Sequence, residues 1–511
     1  MEERNRKKMR TATSAVVIFV VFISGGVVMA FEIVGSRVMA PTFGSSTIVW
    51  TALIGIILGA LSLGYWIGGV LSDRKPRVQN LGLILLGAGL SIALMALIKD
   101  PVLTWAALAP NFHVGVMSAA TILFAPASFV LGMVSPYAAR LAMVSIEGSG
   151  KIIGNLYAFS TLGSIVGTFL AGFVLLPVLG NTTLLFSLAA SEVLLALLLF
   201  SSHRLKGVAA LIAFALLLVA GASGANADLA LGPIDIDTQY SRVRIFSDTD
   251  RATQRPVLRM NINDGFSSAM FLDTEDPTEL AYSYTRFYRL ADHFVPNLQS
   301  ALMIGGAAYS FPKDFLASHE SAELDVVEID PKVTQLAEEY FRLDPNHPRL
   351  HIFHEDGRTF LNRDHMPYDA IYLDAFHSNA VPYQLASVEA MERTHDLLTD
   401  RGVFIANVIS PINGEDGKFF RALYRTMREV YPQVEIFPVN EVYDPKLVGN
   451  VMLVGFVSTA ELNLTSDDAE MTEMLNNLRR QAVALDVPVL TDEHNPADYY
   501  SSAYLDHLNR Q

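Results

Sequence analysis

The stretch SALMIGGAAYSFPKDFLASHESAELDVVEIDPKV (residues 300–333) decides how the second half of the chain folds. ALMIGG is an unbroken apolar run closed by two glycines, the pattern of a strand buried on both faces. AAYSFPKDFLAS then has helical spacing, and LDVVEID is a second apolar run that ends on acids. Strand, helix and strand in this order predict a parallel, doubly wound sheet. The alternation continues downstream. A helix is expected from about Pro331 to Phe341, a third strand and its exit in HIFHEDGRTFL (351–361), a fourth strand in YDAIYLDAF (368–376) and a fifth in GVFIANVI (402–409). VEIFPV (434–439) and VMLVGFV (451–457) predict a terminal antiparallel pair.

Ligands of such sheets bind outside the carboxyl ends of the strands, so acids there come first. Glu328 closes the second strand, 23 residues after Gly305, where a carboxylate can accept the hydroxyls of a ribose. Asp356, followed by Gly357, closes the third, where it can meet the exocyclic amine of an adenine. Asp374 closes the fourth, beside the place for a ligand's reactive group. Each could instead cap a helix or sit in a solvated turn; three in register make that weaker as a joint reading. Gly305 and Gly306 stand in IGGAAYS, which lacks the spaced G-x-G-x-x-G, so an adenosyl ligand without pyrophosphate is favoured over a dinucleotide.

Upstream of Ser300, TELAYSYTRFYRLADHF (278–294) has helical spacing of apolar residues. TQYSRVRIFSD (238–248) and RPVLRMNIND (255–264) alternate as strands of a small antiparallel unit, with a turn around DTDRATQR. GASGANADLALGP (221–233) is small, polar and Gly/Pro punctuated, which suits a linker.

Ahead of that linker the chain changes character. Residues 1–207 hold 14 Lys and Arg against 7 Asp and Glu; the remainder holds 23 against 45. A basic, nearly uncharged half is joined to an acidic one, which excludes a single globular domain. Seven apolar stretches, near 14–36, 47–71, 81–98, 114–138, 152–178, 183–201 and 208–224, are long enough or nearly so to cross about 30 Å of hydrocarbon. The first, behind MEERNRKKMR and ahead of further spans, is expected to be a retained anchor. Lys and Arg number twelve on one set of loops and two on the other, Arg37 and Lys99, which predicts a cytoplasmic N-terminus. An odd number of spans would put the acidic half outside the cytoplasm, unless one stretch does not span or a further hairpin lies near 100–113. Glu32, with Arg37 five residues on, is an ionisable residue within a span, a functional candidate or a helix-end pair.

No cysteine is present, which excludes disulfides, thiolate zinc sites, iron–sulfur clusters and cysteine nucleophiles. No His/Asp/Glu cluster shows ligand spacing, so no metal is expected. The acidity argues against nucleic-acid binding.

VEIDPKV, EDGRTFL, YDAIYLDAF and LRMNINDGFSSA together resemble the spermidine synthase (polyamine aminopropyltransferase) family over roughly Asp237 to Ile409, and the whole chain is similar to its membrane-fused, multi-pass branch. The resemblance implies a multi-pass α-helical membrane domain (1–225), then a small β-strand unit and helix (226–295), then an α/β Rossmann-like catalytic domain of the class I methyltransferase type (296–511). It implies aminopropyl transfer from decarboxylated S-adenosylmethionine to an amine or polyamine acceptor, with a cell (inner) membrane location and room for a homodimer. Glu328 would hold the ribose, Asp356 the adenine and Asp374 would be the base. Gly305, Gly306 and Gly357 would line the donor site, and Tyr240, Asp264, Tyr282, His377 and Tyr383 the acceptor side.

Several family positions differ. Where the family has GGGDGG this chain has GGAAYS, so Ala308 replaces the aspartate expected on the aminopropyl ammonium. Ser241 and Ser268 replace glutamines, Ser283-Tyr284 replaces His-Glu, and DSSDP appears as DAFHS (374–378). With Ala308 at a helix start, bare backbone N–H groups would favour the carboxylate of intact S-adenosylmethionine. Methyl or aminocarboxypropyl transfer to a membrane-held acceptor, and a non-catalytic adenosyl sensor, are therefore alternative readings. Tyr309, His377 and Tyr383 are candidates to replace the lost polar contacts.

Overall fold

The computed structural model describes residues 2–44, 46–74, 76–143, 149–200, 202–225, 234–263, 265–375, 382–440 and 444–501. The chain divides into two compact units, Met1–Leu231 and Gly232–Gln511.

The first unit is helical: α1 (Glu2–Phe43), α2 (Thr47–Arg74), α3 (Val78–Ala107), α4 (Phe112–Gly132), α5 (Val134–Ala142), α6 (Ser149–Leu170), α7 (Leu176–Leu199) and α8 (His203–Ala225). Among the described residues six segments are long and apolar enough to cross a membrane: Ala15–Phe43, Thr47–Arg74, Val78–Ala107, Phe112–Ala142, Gly150–Leu175 and Val178–Leu199. They contain or overlap the first six expected stretches. The seventh stretch lies in α8, which stands outside that set and whose side chains are described only to Val219. No further hairpin forms near 100–113, because α3 runs on to Ala107 and α4 starts at Phe112. Trp66, Leu97, Phe173 and Leu211 point outward and exposed, as on helices apolar all round.

Small residues set how closely these helices pack. In GYWIGGVLSDR (64–74) of α2, Gly68 is closely approached, since a Cβ there would lie 2.7 Å from Met133 Cα of the α4–α5 junction, while Gly69 has open space. Gly132 of α4 is equally tight, with a Cβ 2.6 Å from the Leu61 carbonyl oxygen of α2. Gly132→Leu should therefore destabilise this unit by about 1–3 kcal/mol, the ordinary cost of overpacking. The check is the unfolding midpoint in detergent, with Gly55→Leu, a position with nothing within 4 Å, expected to be neutral. Glu32 lies inside α1, half-buried, rather than at a helix end. A second acid, Glu192 of α7, is fully buried. Its Oε2 accepts from Ser24 Oγ of α1 at 3.2 Å, and its Oε1 has no partner among the described residues.

The second unit opens with an antiparallel sheet in the order β1 (Ile234–Asp237), β2 (Arg242–Thr249), β3 (Pro256–Ile262) and β4 (Gly265–Phe271). Residues 278–294 do not form one helix. Leu280 bridges to Met270 of β4, which holds that stretch extended, and short helical turns follow at Ser283–Arg286, Phe287–Arg289 and Leu290–Phe294.

The large sheet comprises β5 (Ser300–Ile304), β6 (Glu323–Val327), β7 (Leu350–Phe353), β8 (Tyr368–Leu373), β9 (Leu398–Ser410), β10 (Gln433–Pro438) and β11 (Gly449–Phe456), in the order β10-β11-β9-β8-β5-β6-β7. Strands β9, β8, β5, β6 and β7 are parallel, and β11 runs antiparallel to both β9 and β10. This is the Rossmann-like, methyltransferase-type sheet that the sequence predicts. Successive residues face opposite sides: Leu302, Ile304, Ile371 and Leu373 enter one core, and Ala301, Met303, Ala370 and Tyr372 the other. Each Leu, Ile or Met among them contributes roughly 1.5–3 kcal/mol by burial, so register is strongly fixed. Val243, Met260 and Ile262 of the small sheet pack on Ala308, Val333, Leu336 and Phe341, which ties it to the glycine turn and the helix Pro331–Tyr340.

Candidate active site

Register places the site. Ile304 stands opposite both Val327 and Leu373, Val327 opposite Phe353, and Leu373 opposite Ala406. The residues that follow, Gly305, Glu328 and Asp374, therefore leave the sheet in one row, beside Asn407, which is still within β9 and paired with Met452. Gly305 has φ +99, and an added Cβ would run into the Asp374 carbonyl oxygen. Only glycine satisfies both conditions.

Glu328 is 8% exposed. Its Oε2 accepts from the amides of Gly306 (3.0 Å) and Ala307 (3.1 Å), and its Oε1 from that of Asp330 (3.0 Å). Burial pushes its carboxyl up, and these three amides pull it back. A carboxylate offers roughly four lone-pair sites, so about one stays open to a ligand hydroxyl rather than the two a ribose pair would use.

The glycine turn is not lined with bare amides. Besides those held by Glu328, the Ala308 amide donates to Ser268 Oγ (3.2 Å) and the Tyr309 amide to the Gly306 carbonyl (2.8 Å). The expectation of free N–H groups waiting for a carboxylate is corrected: Ser268 fills that place. Tyr309 is fully buried with its hydroxyl on Thr334 Oγ1 (2.8 Å), so it does not stand in for a lost substrate contact.

Asp374 is half-buried. Asn407 Nδ2 donates to its Oδ1 at 2.9 Å, and Asn450 Nδ2 to Asn407 Oδ1 at 3.0 Å, so one amide orients the next. The Tyr284 hydroxyl donates to Asp374 Oδ2 at 3.3 Å. Behind it Tyr284, Tyr288, Phe311 and Tyr372 form an edge-to-face and tilted aromatic group with centroids 4.8–6.3 Å apart. Burial pushes the Asp374 carboxyl above its ordinary range, while Asn407, Tyr288 and Tyr284 oppose the shift. A carboxylate so held can take a proton from a group delivered to the open face.

Asp356 caps the helix Gly357–Leu361 through the Thr359 amide (3.0 Å), and its Oδ2 faces Gln384 Nε2 (3.4 Å). Gly357 abuts Ile304, where a Cβ would lie 2.7 Å from Cγ2, so this turn joins the same row. Tyr282 stacks on Tyr284 with centroids 6.0 Å apart and accepts from Arg259 at 2.9 Å. Tyr240 is exposed in the connection between β1 and β2, and Tyr383 is exposed at the start of a single helical turn, Tyr383–Leu385. Asp264 and His377 lie outside the described residues.

Three contributors were not among the expected site residues. Tyr284 occurs where a family glutamate was expected, and its spacing of two from Tyr282 was the signal. Asn407 is marked by its position in the fifth strand, but only register shows it beside Asp374. Ser268 stands where a glutamine was expected.

Among the described residues no group of three or more His, Cys, Asp or Glu could hold a metal ion.

Residues 286–465 match the family described as spermine/spermidine synthase domain. A polyamine aminopropyltransferase of Vibrio vulnificus (strain CMCP6) is 29% identical over 191 residues, 36% of this chain and 60% of that protein. A protein of Emericella nidulans named N-terminal histidine N-methyltransferase is 26% identical over 321 residues, 56% of this chain and 54% of that protein. Among solved structures, a probable spermidine synthase from Corynebacterium glutamicum ATCC 13032 is similar with TM-score 0.41 and 23% identity, over 50% of this chain and 89% of that one. The matches span 60%, 40% and 57% of the length of three curated relatives. The similarity to spermine/spermidine synthase domains thus covers residues 286–465, which follow the helical unit in the chain.

Proposed function

We propose that this chain is a membrane-anchored transferase of the spermidine synthase type, moving an aminopropyl group from decarboxylated S-adenosylmethionine to an amine acceptor with Asp374 as base. The observation that carries this reading is the row of Gly305, Glu328 and Asp374 at adjacent strand ends, with Asp374 oriented by Asn407 and Tyr284.

The chemistry follows from that placement. A free amine pKa is about 10, so at neutral pH the nitrogen arrives protonated and without a lone pair. Asp374 takes the proton, the nitrogen forms its bond to the carbon next to the sulfonium, and the carbon–sulfur electrons pass to sulfur, leaving a neutral thioether. Holding the partners in line supplies much of the acceleration. Glu328, Asp356 and Gly357 would fix the adenosyl part.

Activity should fall as pH drops through the Asp374 pKa, because the protonated acid cannot act as base. That limb should lie above the ordinary carboxylate range, since burial raises it. Tyr284→Phe removes a donor that favours the carboxylate, so the acid limb should move to higher pH; a pH profile of turnover reads this, and an unmoved limb would detach Tyr284 from the base.

Methyl transfer from intact S-adenosylmethionine is the second reading, supported by the similarity to a named N-methyltransferase. The amides at 306–308, already engaged, no longer favour it. Calorimetry of the full chain in detergent with each donor separates the two. Preference for the decarboxylated donor supports aminopropyl transfer, preference for the intact one supports the second reading, and binding of neither removes both. The N-terminus is assigned to the cytoplasm of a cell (inner) membrane on the distribution of Lys and Arg. Protease access to residues 232–511 in intact cells against inverted vesicles tests which side the second unit faces.

A further inference from the structure

A cavity of about 320 Å³ opens between β4, the helix Ser310–Ser318 and residues 342–350. None of Gly305, Gly306, Glu328, Asp356 or Asp374 lines it, so it is separate from the strand-end site. Its size falls at the lower end of small-molecule sites. Met270, Leu316 and Leu343 give it apolar walls, and two cations reach it. Lys313 is half-buried, with Nζ donating to the Phe341 carbonyl oxygen. Arg342, more exposed, donates to the Thr274 carbonyl oxygen at 2.6 Å. Neither has a carboxylate partner among the described residues.

Three of the four acids of the lining have partners of their own. Glu279 pairs with Arg255 at 2.6 Å, Asp276 accepts from the Thr278 amide at 2.9 Å, and Asp344 accepts from the Asn346 amide at 3.0 Å. Glu275 is exposed, and His347 Nδ1 accepts from the Arg349 amide at 3.3 Å. Two like charges against an apolar wall repel, and a half-buried ammonium without a counter-ion costs free energy that an anion would recover. In keeping with this, burial, with Arg342 beside it, pulls the Lys313 ammonium down to about 8.

We propose that this cavity binds a small amphipathic anion, a carboxylate on a short aliphatic chain, with its charged end between Lys313 and Arg342 and its tail against Met270, Leu316 and Leu343. The ligand chemistry follows from the lining: paired donors without a counter-ion at one place and methylene-lined wall beside them.

The test uses the unmodified full chain. Acetylation of Lys313 by acetic anhydride is followed by peptide mass spectrometry with and without hexanoate. At about four times its dissociation constant, hexanoate should slow acetylation about fivefold, because roughly one site in five stays free. Hexyltrimethylammonium, with the same tail, the opposite charge and no nitrogen that the anhydride can acylate, should not protect. An unchanged rate, or equal protection by hexyltrimethylammonium, overturns the proposal. As a second measurement, hexanoate should raise the unfolding midpoint of wild type and Lys313→Arg but not Lys313→Met; an equal rise in Lys313→Met also overturns it. Should Lys313→Met fail to fold, the acetylation result decides alone.

Discussion

Asp374→Asn should lower turnover about a hundred- to ten-thousandfold, the range lost with a positioned general base, while leaving adenosyl-donor affinity within about tenfold of wild type. The asymmetry follows from where the side chain points. Its two oxygens accept from Asn407 and Tyr284, and neither contact belongs to the part of the row assigned to the donor. Asparagine keeps the shape but turns one acceptor into a donor. Its NH2 must then face either the Asn407 amide, where two donors meet, or the Tyr284 hydroxyl, which turns to accept from it and donates to the Ser267 carbonyl oxygen at 3.1 Å. Single-turnover kinetics with donor titration separates the two effects. Unchanged turnover would remove Asp374 from the chemistry altogether.

Glu328→Gln should act in the complementary way, weakening donor binding and loosening the glycine turn together. In wild type three backbone amides converge on one carboxylate. The Gln NH2 must displace either the pair from Gly306 and Ala307 or the single amide of Asp330, leaving at least one buried donor unpaired, at a cost of about 1–3 kcal/mol. Donor affinity should fall roughly tenfold or more through the same turn. Calorimetry reads the affinity, and the unfolding midpoint of the second unit reads the turn. Full donor affinity in a variant that folds normally would take Glu328 out of the donor site.

Much of this architecture was legible because it is written in long apolar runs. ALMIGG, LDVVEID and YDAIYLDAF are too apolar for a half-exposed strand and too short for helices, and each carries near its end a residue that becomes part of the site, Gly305, Glu328 and Asp374. Residues 278–294 have the spacing of one helix but do not form one, because helical spacing is a local property, while the Leu280 bridge to Met270 that keeps the start of that stretch extended is not. The same limit hid Asn407 and Ser268. Asn407 is an ordinary strand residue until Leu373 is set opposite Ala406, and Ser268 reads as a lost glutamine until its Oγ is seen on the Ala308 amide. Glu192 differs: an acid within an apolar stretch is the signal that singled out Glu32, and Glu192 is the more deeply buried of the two.

The alignment of Ile304 with Val327 and Leu373 has a consequence for which length changes the protein tolerates. The groups of the row are positioned by the strands before them, not by the loops after them. Added residues between the helix Ser310–Ser318 and β6 should therefore lengthen a surface connection without moving Glu328, at a loop-entropy cost that grows slowly with length. One residue inserted within β6 would carry Glu328 about 3.3 Å along the strand and turn it to the opposite face. Insertions and deletions should thus accumulate between strands and be purged within them, leaving the spacing from each strand's first residue to its terminal acid as the fixed measure of this site.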